Sequence, residues 1–121
     1  MTDTTRLEAL EALLEKVKAG SAFQIDAPQR KGRTPEYPCL GGYYQDNMAY
    51  GAFHGSTDAA IEFVKAVLPE GSTWQYYSGD GHCIVGYGPG AADYSEAHDQ
   101  NPARALLIAG IEALIAQERD T

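Results

Sequence analysis

The stretch from Asn101 to Glu118, NPARALLIAGIEALIAQE, constrains the fold of this chain more than any other. Asn101 can cap a helix with its side-chain oxygen, and Pro102 suits the first helical position, where a missing N–H costs nothing. At ~100° per residue, Leu107, Ile108, Ile111, Leu114 and Ile115 fall on one stripe, while Ala105, Ala109, Glu112, Ala113 and Ala116 line the other side. Such a stripe must be buried, so the rest of the chain is expected to fold against it. Arg104 is the misfit: in the first turn and along the apolar stripe, it faces both desolvation and the positive end of the helix dipole. It needs an anionic partner. Either it pairs with Asp99 or Asp93 or lays its stem across the core edge, or it joins the free N–H groups of Ala103 and Arg104 in receiving a phosphate or carboxylate ligand.

A length of 121 residues, 44% of them hydrophobic, fits one domain (1–121) with one modest core. No run of 18 apolar residues occurs, and the charged opening MTDTTRLEALEALLEK lacks the apolar centre of a signal peptide, so a soluble, cytoplasmic protein is expected. A reducing compartment favours free thiols at Cys39 and Cys83, although a disulfide is not excluded. Net charge is −8, and of nine basic residues only Arg30, Lys31 and Arg33 gather locally. Direct nucleic-acid binding, which needs a basic footprint, is therefore disfavoured. A compact acidic protein can instead occupy a basic groove on a nucleic-acid enzyme, in the manner of DNA mimics.

Thr5 and Glu8 match a capping box, and Leu7, Leu10, Leu13, Leu14 and Val17 share one face, which predicts a helix over about 5–19 closed by Gly20. Ser21 to Asp26 reads as a short strand with Phe23 and Ile25 on one face. From 27 to 55 the periodicity disappears into a long irregular loop with prolines at 28, 35 and 38, paired glycines and recurrent tyrosines, with at most a helical turn near Asp46 to Phe53. Ser56 or Thr57 caps a further helix with a broad apolar face (Ala60, Ile61, Phe63, Val64, Val67, Leu68) that Pro69 stops. Thr73 to Tyr77 and His82 to Tyr87 form a hairpin around Ser78 to Gly81. If Tyr77 pairs with His82, Trp74, Tyr76, Cys83 and Val85 share the core face, and Gln75, Tyr77, His82 and Ile84 the other. After the turn at Gly88 to Gly90, Ala92 to His98 supplies one more strand. The expected fold is α+β, in the order α-β-loop-α-β-β-β-α. A small, mainly antiparallel sheet is covered by about three helices, with both of its faces at least partly covered.

No catalytic constellation stands out. His54, His82 and His98 with the two cysteines show no zinc spacing, no G-x-S-x-G elbow marks a nucleophile, and Gly79-x-Gly81 and Gly86-x-Gly88-x-Gly90 open no helix. No metal, no cofactor and no enzymatic activity are expected. What remains is a set of flat or cationic groups fit to hold a planar, anionic molecule: Arg30, Lys31, Arg33, Tyr43, Tyr44, Tyr50, Trp74, Tyr77, His82 and Arg104. The alternative for the aromatics is that Tyr43, Tyr44, Tyr50 and Trp74 pack the loop onto the sheet, and for Tyr77 and His82 that they lie on a half-exposed sheet face.

The motifs FHGSTDAAIEFVKAVLP and NPARALLIAGIEALIAQE, with the hairpin at Trp74 between them, resemble small accessory proteins of tailed phages and prophages of the phage α/β/α-sandwich type; the opening ALEALLEKVKAG is also similar. The resemblance implies a phage accessory protein, and such non-enzymatic proteins often counter host immunity. It leads to the expectation of an anti-defence protein, open to homo-oligomer formation, that sequesters a nucleotide-like immune signal. The alternatives are an acidic inhibitor that occupies a host defence complex, and a phage structural or accessory protein without either role.

Overall fold

The last helix, α4 (Pro102–Arg119), forms where the cap predicts it. Asn101 Oδ1 accepts the N–H groups of Ala103 (3.0 Å) and Arg104 (3.3 Å), and Asp99 Oδ1 in turn accepts the Asn101 N–H (2.8 Å). The computed structural model describes residues 4–23, 37–68, 73–77, 81–87, 93–99 and 101–119. Within them α4 differs from the expected one-sided helix. Ala103, Ala105, Ala109 and Ala113 are as fully buried as Leu107 and Ile111, so neighbours wrap the helix almost all round. Its small residues let those neighbours come close: a Cβ added at Gly110 would lie 3.2 Å from the Phe63 ring and 3.3 Å from Val64.

Helix α1 (Thr4–Ala19) packs Leu10, Leu13 and Val17 against α4. It runs antiparallel, because Arg6 pairs with Glu118, Glu11 with Arg119 (2.7 Å) and Lys18 with Glu112 (3.5 Å). Thr5 lies inside this helix, which already includes Thr4, so the expected capping box at Thr5 and Glu8 does not start it. Its end follows expectation: Gly20 takes φ +76°, its N–H donates to Val17 O (3.1 Å), and the Ser21 N–H donates to Lys16 O (2.9 Å). The expected strand at Ser21 to Asp26 is absent from its described part. Ser21 to Phe23 have no regular structure, and Phe23 sits at φ +53°, a left-handed backbone that breaks any extended run. Gln24 to Asp26 lie outside the described residues.

Of the expected loop from 27 to 55, residues 27–36 lie outside the described residues, and the described part is largely helical. A short 3₁₀ helix (Pro38–Leu40) leads into α2 (Tyr43–Phe53), a three-turn helix where only a turn was foreseen. The buried Asp46 carboxylate stands in for a core contact by accepting the Tyr37 N–H (2.9 Å), which ties the segment before α2 back onto it. Helix α3 (Thr57–Val67) starts as expected, with Ser56 Oγ accepting the Ala59 N–H (3.2 Å). It buries Ala60, Phe63 and Val64 between α2 and α4.

Three strands complete the α+β fold: β1 (Thr73–Tyr77), β2 (His82–Tyr87) and β3 (Asp93–His98), antiparallel in the order β1-β2-β3. Tyr77 pairs with His82, the pairing on which the hairpin reading was conditional, and His82 pairs in turn with His98. Cys83, Val85 and Ala97 are buried beneath α4, whereas Gln75, Glu96 and His98 on the opposite face are exposed. The expectation that helices cover both faces is corrected: among the described residues, the helices gather on the face of Cys83 and Val85, because α4 uses its own full circumference to bind α1, α2, α3 and the sheet. No helix among the described residues is long and apolar enough to cross a membrane.

Candidate binding site

Among the described residues, those picked out for ligand binding do not converge. Arg30, Lys31 and Arg33 lie outside the described residues. Tyr43 opens α2 and is half-buried; Tyr44, one residue on, is exposed and donates its hydroxyl to Glu62 Oε2 on α3 (3.2 Å). Tyr50 packs against the core, its ring 4.4 Å from that of His54 and edge-on to Phe23 at 6.3 Å. Tyr44 and Tyr50 thus tie α2 to α3 and to Phe23, whereas the packing alternative had these tyrosines against the sheet. Tyr77 is placed by its backbone alone, opposite His82. His82 lies on the outer sheet face, with Nε2 2.8 Å from Glu96 Oε2 and its ring stacked on that of His98 at 4.4 Å.

Arg104 is turned inward. Its Nη2 donates to the Phe53 carbonyl (3.0 Å), and its guanidinium lies over the Phe53 ring at 4.3 Å. Phe53 ends α2, so the negative partner of this cation is the carboxyl end of a helix dipole and an aromatic face. The Ala103 and Arg104 N–H groups, expected to be free for an anion, are taken by Asn101. Asp99, an expected partner of Arg104, is held by the Asn101 backbone. The start of α4 is therefore closed as an anion cradle of the expected kind.

One expected residue does line a recess. Trp74 on edge strand β1 is 37% exposed, and it borders a cleft of about 460 Å³ shared with Thr57, Ile61, Gln75, Cys83, Pro102 and Leu106. That volume lies in the range of small-molecule sites. Thr57 and Pro102 are the first residues of α3 and α4, so the first turns of two helices border the cleft. Among the described residues, no ionised side chain lines it at neutral pH, since burial pushes the Cys83 thiol up to about 11. Cys83 is accordingly a small apolar wall and no nucleophile. Cys39 is likewise held protonated by burial, against the opposing pull of Arg6, and both cysteines are free thiols.

Sequence reasoning missed Ile61, Leu106 and Pro102 as site residues. Leu106 falls off the main stripe of α4, and the apolar face of α3 is broader than one neighbour can cover; together those two signals point to an apolar surface beyond the core. Among the described residues, no three His, Cys, Asp or Glu side chains converge as metal ligands. No protein-family model, curated protein or solved structure matches the chain.

Proposed function

We propose that this chain is a non-enzymatic binding protein that sequesters a nucleotide-like molecule, with the flat base held against Trp74. The observation that carries this reading is the cleft itself: an exposed indole above an apolar floor of Ile61 and Leu106, at the starts of two helices. A nucleobase stacked on an aromatic ring gains ~1–3 kcal/mol. Among the described residues, the lining offers neither an activated nucleophile nor a general base. The resemblance to phage accessory proteins fits a ligand of the immune-signal class.

Trp74 is the single tryptophan of the chain, so its fluorescence reports on the cleft directly. Titration with linear and cyclic mono- and dinucleotides should quench or shift that emission for one class. The ligand should then be recovered from denatured protein at unchanged mass. Flat emission across the whole panel at millimolar ligand would refute the reading, and recovery of a cleaved product would refute its non-enzymatic part. A second reading, an acidic protein that contacts a partner protein, is favoured by a separate surface, the carboxylate-lined edge of β3.

A further inference from the structure

Strand β3 is at one end of the sheet, and among the described residues its outer side faces a groove instead of another strand. Two recesses of about 490 and 300 Å³ adjoin at Glu112 and run along that side. One is lined by Ser95 of β3 with Glu15 and Leu14 of α1; the other by Glu96 and His98 with Lys18. Ile108, Ile115 and Ala116 of α4 form the floor. The groove is thus a slot between a sheet edge and a helix, with a partly apolar base.

The backbone along the slot is oriented for pairing. The Asp99 N–H donates to Gly81 O (3.0 Å), and the register pairs His82 with His98. In an antiparallel ladder the bonded pairs alternate, so Ala97 and Ser95 bond to β2 while the N–H and C=O groups of Tyr94, Glu96 and His98 point towards the slot. An edge of this kind is a template for a further strand. Six residues of β3 offer ~17 Å of ladder at about 3.4 Å per residue.

We propose that the free edge of β3 takes an extended basic peptide from a partner protein, which pairs with Glu96 and His98 as a fourth strand. Charge selects the occupant. Among the described residues, the slot carries the carboxylates of Glu11, Glu15, Glu96, Asp99 and Glu112, against the cations of Lys18 and Arg119, which already pair with Glu112 and Glu11, and His82, which pairs with Glu96. Side chains of an added strand alternate between the two faces, so basic residues reach Glu15 and Glu112 on the inner side and Glu96 on the outer. A second copy of this chain is disfavoured by the same charges, because pairing of β3 with its own copy would set two acidic slots side by side.

The test uses a peptide of about nine residues in which lysines occupy both even and odd positions among valines, so that they reach both faces, and a control in which glutamate replaces lysine. Calorimetric titration should show binding of the lysine peptide alone. Hydrogen exchange of the Glu96 and His98 amides should be fast in the free protein and slow by about tenfold or more on binding. The double variant Glu15→Lys/Glu96→Gln should weaken the peptide by about tenfold while the melting curve stays in place. Four results would each overturn the proposal: no binding of the lysine peptide at millimolar concentration, equal binding of both peptides, binding without protection of these two amides, or amides already protected in the free protein. Self-association through β3, seen as a dimer with protected edge amides, would also overturn it. The Trp74 emission reads the other cleft, so failure of either reading leaves the other standing.

Discussion

Single residues carry their meaning here through partners that lie far away in sequence. The caps at Ser56 and Asn101 were legible because capping is local, the side chain reaching only two or three residues ahead. The anionic partner expected for Arg104 does not appear among the described residues, because a helix carboxyl end and a ring face at Phe53 take its place and leave no acidic residue to read. Glu112 shows the same limit. It interrupts the buried surface of α4, and burial raises its carboxyl above the usual range despite the opposing attraction of Lys18. A carboxyl whose folded value is raised binds protons more tightly in the folded state, so stability is greatest below the unfolded value and falls as pH rises through the folded one. Glu112→Gln should flatten that fall and raise stability at neutral pH slightly, by less than about 1 kcal/mol after loss of the exposed Lys18 pairing. Chemical denaturation from pH 4 to 7 checks it; a steeper fall in the variant would contradict the assigned cause.

Elements were legible where periodicity and turn chemistry agree, as in α1, α3, α4 and the β1–β2 hairpin, whose register follows from the Ser78 to Gly81 turn signal alone. Helix α2 escaped because its buried residues, Asp46, Ala49, Ala52 and Phe53, make a weak stripe centred on a carboxylate. The strand expected at Ser21 failed for a local reason: directly after the Gly20 cap, the chain turns through a left-handed Phe23. Its ring is then held by Tyr37 (4.9 Å) and Phe53 (5.8 Å), contacts that offset a backbone penalty of about 1–2 kcal/mol. Packing of α2 also depends on a contact invisible in sequence, the close crossing at Gly51, where an added Cβ would lie 2.8 Å from Ala59 Cβ. Neither alanine methyl nor helix backbone can swing aside, so the helices must separate. Gly51→Ala should lower stability by roughly 1–3 kcal/mol from overpacking, partly offset by about 1 kcal/mol of helix propensity. Thermal melting decides the sign, and a stabilised variant would show that the α2–α3 crossing is loose.

At the scale of the molecule, the α+β class followed from the order of helices and strands, whereas the central place of α4 did not. Its alanines read as a solvent-facing side, yet in a chain of this length four helices and a sheet share one core, and small residues are what allow them all to touch one helix. The binding cleft was hidden for the same reason: Trp74, Ile61 and Leu106 come from three elements that meet only because each packs on or beside α4. The helical layer and the sheet should therefore have no independent stability. Leu107, fully buried on α4, tests this. Leu107→Ala should destabilise the protein by roughly 2–5 kcal/mol, a large share of the ~5–15 kcal/mol that holds a domain of this size. Helix content followed by circular dichroism and the sheet followed by Trp74 emission should then lose their signals together, at one lowered denaturant midpoint with unchanged slope. Separate midpoints would mean that β1 and β2 hold together without α4. A core organised on one central helix does not permit that, because the buried face of the sheet, Cys83 and Val85, has α4 as its cover.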